Sequence, residues 1–396
     1  MTNPQLRIGI LGKGFLAETR IRCYRRVHGV DVQIVAIAAG SLEGAQTFAQ
    51  QHGIGRAMTV EQLCAENSID VVDICVPNAL HRPFCERAAA GNKHVICTKP
   101  LSAYTGQDLG ADADEQAVIR QDRSHMLAVA LRDADAMLTA TRKANVQLCY
   151  AENWLYAPAL QKARALAASS GGRLLEIRGQ EAHSGSHSVF SKQWRATGGG
   201  ALLRLGAHPI AAILQLKRDE AQRTNRRIRV VSVQAEVADL SQVRGVEDHN
   251  RKIQKAGNSV ENWGCAILAF DDGSRAIAHG GDHLLGGMQS FVELFGSNFH
   301  LRCNLSPNDM VRAYASVDGT FSGQYLQEKL DTQAGWSTPM PDEDWTSGQQ
   351  AMIQAFCEQL ARGERVQSDG QLGRAVVEVI YAAYQSAATG SRVTLH

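Results

Sequence analysis

The stretch GGGALLRLGAHP, residues 198–209, gathers residue types that can run proton chemistry. Three glycines open a helix-like run, and Arg204 and His208 follow four residues apart. On a continuous helix that spacing places both side chains on one face, about one turn apart. An imidazole can accept or return the proton of a reacting hydroxyl. A fixed cation one turn away disfavours the imidazolium, which makes His208 an acceptor or relay. Arg204 itself has two readings. Its planar fork suits a substrate carboxylate or phosphate, and it suits a protein carboxylate equally, with Glu152 and Glu181 as candidates.

Further chemistry lies elsewhere. Lys99 follows the apolar run HVICT and precedes Pro100. A lysine at the end of a buried strand stands where ligands gather in open α/β sheets, and burial favours the neutral amine that can take up a proton. GQEAHSGSHSVF, residues 179–190, supplies Glu181, His183, Ser184, His187 and Ser188, small polar groups that match polyol hydroxyls. Glu181, His183 and His187, with His208, His279 and His283, could also ligate a metal. The spacing matches no helix-borne metal motif, so no metal is expected. AENWLYAP, residues 151–158, offers Glu152, Asn153 and Tyr156 as substrate or cofactor contacts.

These residues need a scaffold. LRIGILG, VQIVAIAAG, IDVVDICVP, HVICTKP and VQLCYAEN are short, nearly continuous apolar runs separated by helical stretches. That rhythm predicts parallel strands buried on both faces, with crossover helices. Gly12-Lys13-Gly14-Phe15-Leu16-Ala17 fits G-x-G-x-x-A directly after the first run, the context that gives this motif force. Gly12 allows the tight turn, Gly14 lets a pyrophosphate approach, and the following helix offers N–H donors to the phosphates. After the second run stand Ala38-Ala39-Gly40-Ser41. They include neither the carboxylate that favours NAD nor the arginine that favours NADP. Ser41 can hydrogen-bond a 2′-phosphate, and the choice of NAD or NADP stays open.

Beyond Asn153 the strands alternate and come close together, joined by turn chemistry at Asp271–Ser274 and at Gly296. This predicts a mostly antiparallel, open-faced sheet in a second α/β domain. The expected boundaries are 1–150 for a Rossmann domain, interrupted by a polar insertion at about 102–125, and 151–396 for the second. The two closing helices are expected to pack back on the first domain.

Bulk composition narrows the class. The 396 residues carry a net charge of +1, with 44% hydrophobic and 20% charged residues. That balance gives no field for nucleic acid or a membrane surface. RIRCYRR, Arg20–Arg26, reads as a solvated helix face. Nine scattered cysteines without a C-x-x-C pair, and an N-terminus without a signal-peptide pattern, lead to the expectation of a cytoplasmic protein.

In order and spacing, the dinucleotide turn, Cys97-Thr98-Lys99-Pro100-Leu101 and WRATGGGALLRLGAHP resemble the Gfo/Idh/MocA oxidoreductases over nearly the whole chain. The family's E-K-P motif matches Thr98-Lys99-Pro100, with threonine in place of glutamate. Its V-P-N-x-x-H stretch, on the nicotinamide side, matches Val76, Pro77, Asn78 and His81. Its W-R pair matches Trp194 and Arg195. Its G-G-G-A-L-x-D-x-G-x-H segment matches from Gly198 onward, with His208 kept and Arg204 where the family has aspartate. The resemblance implies an NAD(P)-dependent oxidoreductase acting on a hydroxyl carbon of a sugar or polyol, with Lys99 and His208 catalytic. It implies that Gly12, Lys13, Gly14, Phe15, Leu16, Ser41, Pro77, Asn78, His81, Lys99, Asn153, Trp194 and Arg195 serve the cofactor. Arg204, Glu152, Glu181, His183 and Tyr156 would serve the substrate. A glycosidase using transient oxidation and a non-catalytic dinucleotide sensor are the alternatives. A homodimer or homotetramer is expected through the second sheet, because a large apolar face rarely stays in water.

Overall fold

The computed structural model describes residues 3–110, 112–186, 188–247, 249–253 and 259–395. The chain divides into two compact units, one of residues 1–103, 129–156 and 348–377, the other of residues 104–128, 157–347 and 378–396.

The sheet of the first unit consists of β1 (Gln5–Leu11), β2 (Asp31–Ala38), β3 (Ala57–Met58), β4 (Val71–Ile74), β5 (His94–Thr98) and β6 (Leu148–Ala151). All pairs are parallel, in the order β3-β2-β1-β4-β5-β6. This is the doubly wound arrangement, in which ligands gather at the carboxyl ends of the strands. The apolar runs become strands because both faces are covered: Ile8, Ile10, Val71, Val72, Val95 and Ile96 are all buried. Helices α1 (Phe15–Tyr24), α2 (Leu42–Gln51), α3 (Val60–Ala65) and α4 (His81–Ala90) alternate with the strands.

The basic run on α1 is not wholly solvated. Arg20 is 1% exposed, with its Nε 3.4 Å from Asp73 Oδ2 on β4. Tyr24 donates to the same oxygen at 2.9 Å. The Arg20 charge is retained in the core because the buried Asp73 carboxylate faces it, which composition does not reveal.

The second unit holds a seven-stranded sheet in the order β12-β11-β7-β10-β9-β8-β15. Its strands are β7 (Leu174–Ala182), β8 (Val230–Ala238), β9 (Trp263–Phe270), β10 (Arg275–Gly281), β11 (Gln289–Gly296), β12 (His300–Ser306) and β15 (Val393–Thr394), while β13 (Ala313–Ala315) and β14 (Gly335–Ser337) form a separate ribbon. Only β7 and β10 are parallel neighbours. In chain order the further helices are α5 (Glu115–Ile119), α6 (Arg123–Lys143), α7 (Pro158–Ser169), α8 (Trp194–Thr197), α9 (Ala201–Arg204), α10 (Ala207–Thr224), α11 (Glu343–Thr346), α12 (Gln349–Ala361) and α13 (Gly370–Thr389).

One face of this sheet packs on α9 and α10, where Gly179 meets Pro209 and Gly264 meets Leu202. The opposite face is not the broad apolar surface that was expected. Arg178 pairs with Glu176 at 2.7 Å and His300 with Glu293 at 2.9 Å. The Arg178 and Arg302 guanidiniums lie over Phe295 and Phe291. Alternation along each strand sends polar side chains to this side.

From Tyr104 on, the described part of the 102–125 insertion belongs to the second unit. Glu115 accepts the backbone N–H groups of Trp194 and Arg195 at 2.5 and 3.1 Å, at the start of α8. Trp194 Nε1 donates to the Tyr104 carbonyl at 3.1 Å, and Arg123 lies over the indole.

Candidate active site

In the first unit, the carboxyl ends of five strands collect the sequence-predicted residues. Gly12 turns the chain after β1 with φ +122°, and a Cβ there would collide with the Cys75 carbonyl. Only glycine fits both demands. Gly14 caps the N-terminus of α1, and a Cβ on it would meet nothing within 4 Å. Open space in front of free helix N–H groups suits a pyrophosphate, so the residues present fit a dinucleotide. Lys13 and Phe15 are exposed, Leu16 is half-buried, and Ala17 packs inward. Ser41 follows β2 and caps α2 by accepting the Gly44 N–H at 3.1 Å. Pro77 and Asn78 follow β4.

The register of β5 against β6 pairs Thr98 with Ala151. The next residues are Lys99 and Glu152, so an amine and a carboxylate leave neighbouring strand ends together. Glu152 is fully buried and accepts the Trp154 N–H at 3.1 Å. Asn153 and Tyr156 lie in the short 3-10 turn that follows, both buried, with the Tyr156 ring edge-on to Phe356.

His81 is fully buried at the start of α4. Nδ1 lies 3.0 Å from the Pro100 carbonyl and 3.2 Å from that of Leu101, and Nε2 lies 3.0 Å from that of Val76. The ring therefore ties the end of β4 to the segment just after Lys99. Burial pushes its basicity down, against the three carbonyls. In this arrangement His81 positions Lys99's segment.

In the second unit the triple glycine has a local explanation. A Cβ on Gly199 would strike the Tyr384 hydroxyl, and one on Gly200 would strike Glu261. The buried Glu261 carboxylate accepts the Gly200 N–H at 3.0 Å, the Leu202 N–H at 2.9 Å and the Tyr384 hydroxyl at 2.8 Å. Burial pushes its pKa up, against these donors. The glycines thus let a buried carboxylate cap α9.

Arg204 and His208 do not share one helix. α9 ends at Arg204 and α10 begins at Ala207, with a turn at Leu205–Gly206 between them. Pro209 has no N–H for the Leu205 carbonyl, and a Cβ on Gly206 would collide with the Leu202 carbonyl. The two side chains find separate partners. Arg204 forms an ion pair with Asp282, both largely buried. His208 Nε2 lies 3.5 Å from Glu181 Oε2, also buried. Arg204 therefore does not act on His208 as a bare cation, because Asp282 answers its charge and a carboxylate faces the imidazole.

The parallel pairing of Gly281 with Ala182 sends Asp282 and His183 off adjacent strand ends. His183 Nδ1 accepts the Gly185 N–H at 3.0 Å and lies 3.6 Å from Asp282 Oδ1. An accepting Nδ1 places the proton of the neutral ring on Nε2, as a donor. Glu181, His183, Arg204 and His208 are thus gathered around the ends of β7 and β10, with Asp282 as the member that the sequence reading missed. Its only cue was a carboxylate inside the run His279-Gly280-Gly281-Asp282-His283. Trp194 is core, its indole packed on Tyr384, and Arg195 is half-buried beside it. His187 lies outside the described residues.

Two family models match. The oxidoreductase family with an NAD-binding Rossmann fold covers residues 6–122, and the GFO/IDH/MocA C-terminal domain covers residues 160–302. Among curated proteins, the chain is 26% identical to the trans-1,2-dihydrobenzene-1,2-diol dehydrogenase of Xenopus laevis, over 50% of this chain and 53% of that protein. It is 29% identical to the NADP(+)-dependent scyllo-inositol 2-dehydrogenase of Bacillus subtilis (strain 168), over 25% of this chain and 30% of that protein. The matched stretch spans about half, or less, of these relatives. Among solved structures, GenD2 of gentamicin A biosynthesis in complex with NAD superposes with a TM-score of 0.78 at 22% identity, covering 99% of this chain and 97% of that one. The myo-inositol 2-dehydrogenase of Lactobacillus plantarum gives 0.71 at 18%, covering 99% and 100%.

Proposed function

The chain belongs to the Gfo/Idh/MocA oxidoreductase family, and from that membership we propose that it oxidises or reduces a hydroxyl carbon of a neutral cyclic polyol with NAD(H) or NADP(H). The observation that carries this reading is the register Thr98↔Ala151, which sets Lys99 beside the buried Glu152 at the carboxyl edge of a dinucleotide-type sheet. The nicotinamide supplies the hydride acceptor or donor when bound. Lys99 accepts the hydroxyl proton through its neutral amine, and Glu152 offers the resulting ammonium a nearby countercharge. In the second unit His208, facing Glu181, is a further group able to exchange a proton. His183 offers an Nε2–H to a substrate oxygen.

The ion pair between Arg204 and Asp282 favours a neutral substrate over a carboxylated one, since the guanidinium already has its anion. The names of the relatives point the same way: a dihydrobenzene diol and an inositol are both rings bearing hydroxyls. A screen of inositols, cyclic diols, sugars and uronic acids with NAD and NADP tests the reading. Reduction of the dinucleotide by neutral ring polyols supports it. Sugar release from a glycoside without net cofactor change would replace it.

A homodimer or homotetramer through the mixed polar face of the second sheet is part of the proposal, supported by the exposed Ile267 paired across strands with Ile277. A monomeric mass in solution removes that part. The nine cysteines are free thiols, which suits a reducing cytoplasm.

A further inference from the structure

Lys13 stands between the two glycines of the phosphate turn, yet its side chain does not simply extend into solvent. A Cβ built on Gly44 would collide with the Lys13 ammonium, and the same point lies 3.0 Å from Ser41 Oγ. The lysine thus bends from the loop after β1 to the segment after β2, and the missing side chain at position 44 leaves room for it. The Ser41 oxygen already accepts the Gly44 N–H, which leaves its hydroxyl proton as a donor. Gly40, just before, would carry a Cβ into open space.

The chain end after β2 is where a doubly wound fold meets the adenosine ribose, and a carboxylate there selects the 2′-hydroxyl. Here the strand is followed by Ala39, Gly40 and Ser41, and the acidic residue in the first turn of α2 is the exposed Glu43. We infer that Lys13, supported by Ser41, selects a 2′-phosphate and makes the chain prefer NADP(H) over NAD(H). The inference rests on the dinucleotide-dependent reading above. An ammonium in place of a ribose-binding carboxylate gains from a dianionic phosphate and little from a hydroxyl. Gly44 leaves the room the ammonium occupies: a side chain there would meet the flexible end of Lys13, which would have to shift.

Direct binding tests this without turnover. NADPH and NADH are titrated separately against the full-length chain, following the nicotinamide fluorescence. NADPH is expected to bind at least ~10-fold more tightly, about 1.4 kcal/mol. Lys13→Met is expected to reduce the NADPH/NADH affinity ratio by ~10-fold, and Gly44→Ala to reduce it in the same direction by displacing the ammonium. Ser41→Asp is expected to invert it. Added salt should weaken NADPH more than NADH. Circular dichroism and melting confirm that each variant is folded. A wild-type ratio of one or below overturns the inference, as does a ratio that Lys13→Met leaves unchanged; in either case NADH binding leaves the proposed function standing. Failure to bind either dinucleotide overturns both.

Discussion

Arg204 and Asp282 form an ion pair that joins the end of α9 to the end of β10. Arg204 occupies the position where the family motif carries aspartate, and the acidic partner arrives from a strand 78 residues later. The charge reversal is therefore local. The site keeps a carboxylate, and it keeps a histidine beside one, but the carboxylate facing His208 is Glu181.

Arg204→Ala leaves Asp282 with a buried charge and no cation in its ion pair. The expected loss is about 3 kcal/mol of stability, with Arg204→Met/Asp282→Asn recovering much of it, because breaking one side of a buried pair costs more than replacing both. Urea unfolding of the three proteins checks this. The ratio of activity on neutral polyols to activity on uronic acids should not rise in the double variant, since the arginine is not the anion grip.

Glu181→Gln removes the charge that faces His208 while keeping the shape. The expected outcome is a fall in kcat of ~10²-fold with KM changed far less, the pattern of a group that acts on the chemical step. A rise in KM alone would reassign Glu181 to substrate binding.

Glu261→Gln replaces an acceptor of three donors by a group with only one acceptor oxygen. A loss of about 2 kcal/mol is expected, from N–H groups of Gly200 and Leu202 and the Tyr384 hydroxyl that no longer all have partners. Thermal melting reads it. No loss would mean that the α9 cap is not held by this carboxylate.

His279 gives a signed pH dependence. Burial first, and then the neighbouring His283, lower its pKa from 6.5 to about 4. Between those values the unfolded chain holds a proton that the folded chain lacks, so this group's contribution is complete above the unfolded value and fades as pH falls toward the folded one. His279→Gln should therefore show a smaller drop in melting temperature than wild type between about pH 7 and pH 5. An equal drop in both proteins contradicts the assignment.

Much of the scaffold was legible because it rests on simple periodicity. Apolar runs such as Leu6–Gly12 and His94–Pro100 can only be buried strands, and the glycine turn after the first announced a dinucleotide fold. β3 escaped notice because two residues, Ala57 and Met58, leave no pattern. The site was harder to read. A spacing of four suggested that Arg204 and His208 were neighbours on one helix, while Pro209 and Gly206 break it. The three glycines signalled a close approach, yet spacing alone does not tell a ligand from Glu261 and Tyr384. Asp282 and Arg20 show the same limit: which charge meets which is fixed by strand register and packing over long separations.

The central claim is that Lys99, at the carboxyl end of β5, exchanges the hydroxyl proton of the reacting carbinol. The most direct test is Lys99→Met, read as kcat/KM for dinucleotide reduction by the best polyol of the screen, beside the affinity for the dinucleotide. The account predicts a loss of ~10²- to 10⁴-fold in kcat/KM with dinucleotide binding retained. A Lys99→Met protein that keeps wild-type turnover would contradict it.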